Sequence, residues 1–137
     1  MAKVVIDANV LVSAAFGGFS RKAVEHAFAE HELFLSKTVL AELLGLDTLF
    51  KQSQRTRWHK LIKHVKSLSA VVDAKEVKIC RDPKDDMYLG TCLSSGATFL
   101  VTEDHDLLSL THSELAQAGL RKLRIVNPLQ FLSDTLK

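Results

Sequence analysis

The chain has 137 residues, 47% of them hydrophobic and 25% charged, with six Gly and two Pro. That suffices for one well-packed domain over 1–137, is too short for two, and excludes a disordered or low-complexity chain. The net charge of +2 compels no nucleic-acid partner, although its distribution is uneven. Residues 48–72 hold no acid but carry Lys51, Arg55, Arg57, Lys60, Lys63 and Lys66, whereas Asp82, Asp85, Asp86, Glu103, Asp104 and Asp106 crowd a later segment.

Asp7 and Asn9 interrupt the longest apolar stretch, residues 4–16, so nothing approaches the roughly 20 apolar residues of a membrane span. No secretory pattern opens the chain, and the expected location is the cytoplasm. Cys80 and Cys92 are expected as reduced thiols, and with scattered His they form no zinc spacing.

In chain order, the β-branched run Lys3-Val-Val-Ile reads as a buried parallel strand with Asp7 at its carboxyl end. Ser20 is placed to cap a helix running to His31, with Ala23, Val24, Ala27 and Phe28 on one side. A short strand, Leu33-Phe-Leu, precedes a helix opened by Ser36 or Thr38 that carries Glu42 and an apolar face reaching Phe50. A third helix over 54–67 spaces Trp58, Leu61, Ile62 and Val65 as a core face and leaves its cations outward. Asp82-Pro83 starts another helix that ends at Gly96. Thr98-Phe-Leu-Val is a buried strand, residues 106–119 a polar helical stretch, Leu123-Arg-Ile-Val a last strand, and Asn127-Pro128 the start of a terminal helix. Alternating strands and helices imply an α/β domain. Its central, mostly parallel sheet is flanked by helices on both faces, and sites form beyond the carboxyl ends of the strands.

Four acids fall where that architecture converges: Asp7, Glu42, Asp86 and Asp104. Asp7 and Glu42 have ordinary readings as helix cap and helix-dipole partner. Carboxylates crowded without cations raise one another's pKa, and a hard divalent ion, Mg²⁺ or Mn²⁺, resolves the conflict. Of the neighbouring acids, Asp85 suits a capping box with Asp82, and Asp86 shares a face with Leu89 and Leu93. Asp106 suits a helix cap or an outer ligand. Trp58 reads as a core anchor, and His59, His64 and His105 as surface residues. Arg55, Arg57, Lys60 and Lys63 form a solvated face that becomes a phosphate-backbone track beside an acidic site.

The segments Val4-Val-Ile-Asp7-Ala-Asn9-Val-Leu-Val-Ser13, Val39-Leu-Ala-Glu42-Leu, Arg81-Asp-Pro-Lys-Asp-Asp86 and Phe99-Leu-Val-Thr102-Glu-Asp104-His-Asp106-Leu together resemble the PIN-domain nucleases. Within that family the chain is most similar to toxin components of bacterial toxin–antitoxin systems, relatives of the VapC toxins. The resemblance implies a metal-dependent ribonuclease with Mg²⁺ or Mn²⁺ held by Asp7, Glu42, Asp86 and Asp104. It makes Asn9 and Thr102 supporting residues and a cognate antitoxin a separate chain. It also implies a homodimer, for which Phe16, Phe19, Phe28, Leu46, Leu49 and Phe50 offer more apolar surface than one small core absorbs. Two rivals are a haloacid-dehalogenase-like phosphatase with Asp7 as nucleophile, weakened by Asn9 where a proton-transferring Asp is usual, and a catalytically silent RNA- or protein-binding module.

Overall fold

A computed structural model describes residues 1–136. Strands β1 (Lys3–Ile6), β2 (Glu32–Ser36), β3 (Ser69–Val72), β4 (Phe99–Val101) and β5 (Arg124–Val126) form one sheet in the order β3-β2-β1-β4-β5. Every pairing is parallel. Val4 of β1 lies between Leu33 and Phe99, and Ile6 is beside Val101. Val4 and Val5 have no exposed surface, as a run apolar on both faces requires. From β1 the chain moves outward to β2 and β3, then returns to β4 on the other flank and moves out to β5. That reversal opens a crevice between the carboxyl ends of β1 and β4.

The helices are α1 (Ala8–Phe16), α2 (Gly18–Glu30), α3 (Lys37–Leu44), α4 (Gln52–Leu68), α5 (Pro83–Ser95), α6 (His105–Leu108), α7 (His112–Gln117) and α8 (Pro128–Thr135), with a 3-10 turn at Gly45–Leu49. The right-handed rule for crossovers between parallel strands puts the helices joining β1 to β2 and β2 to β3 on one face and α5, on the return connection, on the other. Accordingly α5 lies across β1, β2 and β3, while α2 packs on β2 and against α8, which covers β4 and β5. Trp58 is fully buried and stacks on Phe50 at 4.7 Å, so it anchors the core. Phe28 and Phe50 pack into the core, whereas Phe16, Phe19 and Leu49 stay more than half exposed.

The helix that Asp7 is placed to cap is the nine-residue α1, and one element goes beyond the sequence expectations: β3 joins the sheet edge directly from α4. Helix α2 begins at Gly18, not after Ser20, whose hydroxyl instead donates to Glu103 Oε1 at 2.7 Å. The polar stretch over 106–119 is two short helices, separated where Thr111 and Glu114 form a capping box.

Residues 73–82 join β3 to α5 and fold back along that helix. The Lys75 N–H donates to the Gly90 carbonyl at 3.1 Å, and a Cβ on residue 90 would lie 2.1 Å from the Lys75 carbonyl oxygen. One turn earlier, Asp86 Oδ1 accepts the N–H groups of Ile79 (3.0 Å) and Cys80 (2.9 Å). Gly90 and Asp86 thus fasten the loop to the same helix face. Gly90→Ala is expected to lower stability by roughly 1–3 kcal/mol through overpacking, despite alanine's better helix propensity. Urea unfolding measures it, and a stabilised variant would show that the loop does not lie on the helix.

Candidate functional site

Asp7 leaves β1 with its N–H on the Val101 carbonyl and caps α1. Its Oδ1 accepts the Asn9 N–H at 3.3 Å, and its Oδ2 accepts the Thr102 hydroxyl at 2.7 Å. Thr102 has no exposed surface, and its oxygen also accepts the Asp104 N–H at 3.0 Å. One hydroxyl therefore links the carboxylate at the end of β1 to the turn after β4. Asn9 Oδ1 takes the Glu103 N–H at 3.3 Å and closes that turn from the other side. Asp104 caps α6, with Oδ1 accepting the Asp106 N–H at 2.9 Å. Glu42 arrives from α3, which is fixed at its start by the Ser36 hydroxyl accepting the Val39 N–H.

The third region departs from the sequence expectation. No capping box forms at the start of α5: Asp82 Oδ1 accepts the Lys84 N–H at 2.9 Å, while Asp85 turns its side chain to the crevice and is 7% exposed. Asp86 points away to the 73–82 loop. The buried stripe of α5 is Asp85, Tyr88, Leu89 and Cys92, not the Asp86, Leu89, Leu93 line read from the sequence. Asp86 is therefore corrected from a crevice residue to a loop fastener, and Asp85 takes the place in the crevice.

The resulting cleft, about 500 Å³, is lined by Asp7, Asn9, Glu42, Asp82, Asp85 and Asp104, with Tyr88 and several apolar residues beneath and beside them. Among the described residues Lys84 is its one cationic lining residue. Carboxylate oxygens of Asp85, Asp104 and Asp106 lie within 4.8 Å of one another. Asp106, more exposed, also meets Arg81 Nη2 at 3.1 Å.

Crowding and burial set the protonation. Burial raises the Asp7 pKa against the lowering effect of the Thr102 and Asn9 hydrogen bonds. Burial also raises that of Glu42, opposed by the Tyr88 hydroxyl. Asp85 is pushed up to about 7, first by burial and then by the hydrogen bond and negative charge of Asp104. An all-oxygen donor set with surplus negative charge fits a hard divalent ion and does not fit a soft one.

The basic residues of α4 do not line this cleft. Arg55 donates from Nε to the Phe50 carbonyl at 3.3 Å, Arg57 and Lys60 border an apolar groove between α2 and α4, and Lys63 lies beside His59 and Asp47. Lys84 is the cation that sequence reading missed, and its place directly before Asp85 was the available signal.

Carboxylates gathered where a parallel sheet reverses its strand order, with helices on both faces, define an α/β protein whose acidic centre is built by the fold itself. The family model described as PIN domain matches residues 3–106, and the chain belongs to that family. The fold is similar to a chain in the crystal structure of VapBC2 from Rickettsia felis bound to a DNA fragment from their promoter. That likeness has a TM-score of 0.58 at 14% identity, over 91% of this chain and 98% of the other. No curated protein sequence matches the chain closely enough to count as a relative.

The raised Asp85 pKa has a defined sign in the metal-free protein. Folding takes this group from 3.8 to about 7, so its stabilising preference for the proton is complete below 3.8 and lost as pH rises through 7. In EDTA, the melting temperature is expected to fall between pH 6 and pH 8, and Asp85→Asn should remove much of that slope and be the more stable chain at pH 8. A variant less stable than its parent at pH 8 would contradict the shift.

Proposed function

We propose that the chain is a divalent-metal-dependent endoribonuclease of the VapC type, acting with Mg²⁺ or Mn²⁺ in the cytoplasm. The observation that carries this reading is the convergence of Asp7, Glu42, Asp85 and Asp104 on one cleft of a PIN-family fold with a single lysine in its lining. Asp7, Glu42 and Asp85 would hold the principal ion, with Asp104 turned to a second ion or to the attacking water. A bound ion supplies an activated water and neutralises charge developing on the phosphodiester.

The remaining residues prepare that centre. Thr102 fixes the orientation of Asp7 through its hydroxyl and ties it to Asp104. Asn9 holds the turn that presents Asp104, and Asp106 stands as an outer acid shared with Arg81. Lys84 at the cleft is placed to meet a phosphate oxygen. Arg55, Arg57, Lys60 and Lys63, exposed along α4 with no acid on their helix, would contact the RNA backbone beyond the cleft. Exposed Phe16, Phe19 and Leu49 support an isologous homodimer. The similarity to a VapBC2 chain supports a cognate antitoxin as partner and a toxin role.

The phosphatase alternative gains no support. Asp7 is 6% exposed with hydrogen bonds on both carboxylate oxygens, a poor state for a nucleophile. A silent binding module would bind RNA without cutting it.

The decisive comparison is between adjacent acids. With Mn²⁺ and total RNA, Asp7→Asn and Asp85→Asn should lose roughly 100-fold or more of the parental cleavage. Asp86→Asn should keep most of it and lose about 1–3 kcal/mol of stability, because two loop N–H groups lose a charged acceptor. Full activity of the parent in EDTA would refute metal dependence. A dead but stable Asp86→Asn beside an active Asp85→Asn would refute the site.

A further inference from the structure

Tyr88 is the chain's single tyrosine. It sits on α5 one turn after Asp85, with 2% of its surface exposed. Packing alone at that position would be served by phenylalanine, since a buried hydroxyl is costly unless bonded. The Tyr88 hydroxyl is bonded twice. It accepts the Ala8 N–H, the first backbone donor of α1, at 3.1 Å, and it donates to Glu42 Oε2 at 3.2 Å.

The two bonds are not independent. A peptide N–H can only donate, so the Ala8 bond occupies a lone pair on the phenol oxygen and turns its one proton toward the acids. Among the described residues, Tyr88 supplies the one side-chain hydrogen bond to Glu42, and Lys84 eases its charge without forming an ion pair. Glutamate is among the side chains that lose most rotamer freedom when ordered, and a carboxylate already aimed at the cleft avoids that loss when a cation binds. The hydroxyl also joins three segments that each deliver one acid: the β1–α1 junction with Asp7, α3 with Glu42, and α5 with Asp85.

We propose that Tyr88 is a positioning residue of the acidic centre: its buried hydroxyl, oriented by the Ala8 N–H, holds the Glu42 carboxylate in the cleft ready for a divalent cation. This rests on the metal-centre reading above and adds to it a residue outside the acidic set. Tyr88 acts through Glu42 and touches neither the ion nor the RNA.

The test is a double-mutant cycle of Mn²⁺ affinity, titrated calorimetrically into metal-free protein, with the melting temperature of each chain in EDTA as a control. Tyr88→Phe should weaken Mn²⁺ binding roughly three- to tenfold, the net worth of one ordinary hydrogen bond. The hydroxyl also acts on Asp7, so in a Glu42→Ala background the same change should keep only a small part of its effect. Unchanged affinity in Tyr88→Phe, with or without a lower melting temperature, would overturn the proposal, as would a loss that persists undiminished without Glu42. A parent that binds no Mn²⁺ would overturn the metal centre itself, an outcome distinct from a parent and a Tyr88→Phe chain that bind equally. Should Tyr88→Phe fail to fold, the ultraviolet Raman signature of the single tyrosine decides. A phenol donating to a carboxylate in the parent should lose that signature in Glu42→Ala, and an identical signature in both would overturn the assignment.

Discussion

Burial of carboxylates with too few cations to balance them, to which their mutual repulsion adds, is the constraint on which the rest of the structure depends. Asp7, Glu42 and Asp85 all have raised pKa values, and burial is the largest cause for each. One lysine at the cleft does not balance them. Such a group weakens the metal-free fold and is tolerated because the sheet and its two helical layers are well buried. A site whose residues oppose stability is common where binding a ligand is the purpose.

The fold imposes this crowding through hydrogen bonds from groups that are not acids. The reversal of strand order places the ends of β1 and β4 side by side, and the Thr102 hydroxyl joins them across the crevice. Tyr88 makes the matching link on the other side, between α1 and α3. Helix α5 delivers Asp85 from one face because its other face is occupied by the 73–82 loop. Asp86 and Gly90 hold that loop in place.

Much of the fold was legible in the sequence because its signals are local. The short buried apolar runs mark β1 and β4. Asp82-Pro83 and Gly96, the latter with φ 72°, bound α5 where expected, and Asn127 with Gln130 caps α8. The position of Asp7, Glu42 and Asp104 followed from strand ends and helix starts. The register of α5 did not, because both flanks of that helix are covered. The line through Asp86 and Leu93 is as plausible by spacing as the one through Asp85, Leu89 and Cys92. Gly90, four residues beyond Asp86, was the clue that backbone passes close on that side. Strand β3 was hidden by its exposed edge residues Ala70 and Val71, which take strand form only through pairing with Phe34 and Leu35. The distance of the α4 cations from the cleft depends on how α4 packs on α1, which no local pattern encodes.

A carboxylate cluster of this kind should exchange a proton for a divalent ion on binding. Calorimetric titration of Mn²⁺ into metal-free protein, in buffers of different ionisation enthalpy, counts the protons released on binding. With Asp85 near 7, roughly half a proton or more should leave at pH 6.5 and close to none at pH 8.5. Binding with no proton release at pH 6.5, or no binding at either pH, would contradict the account.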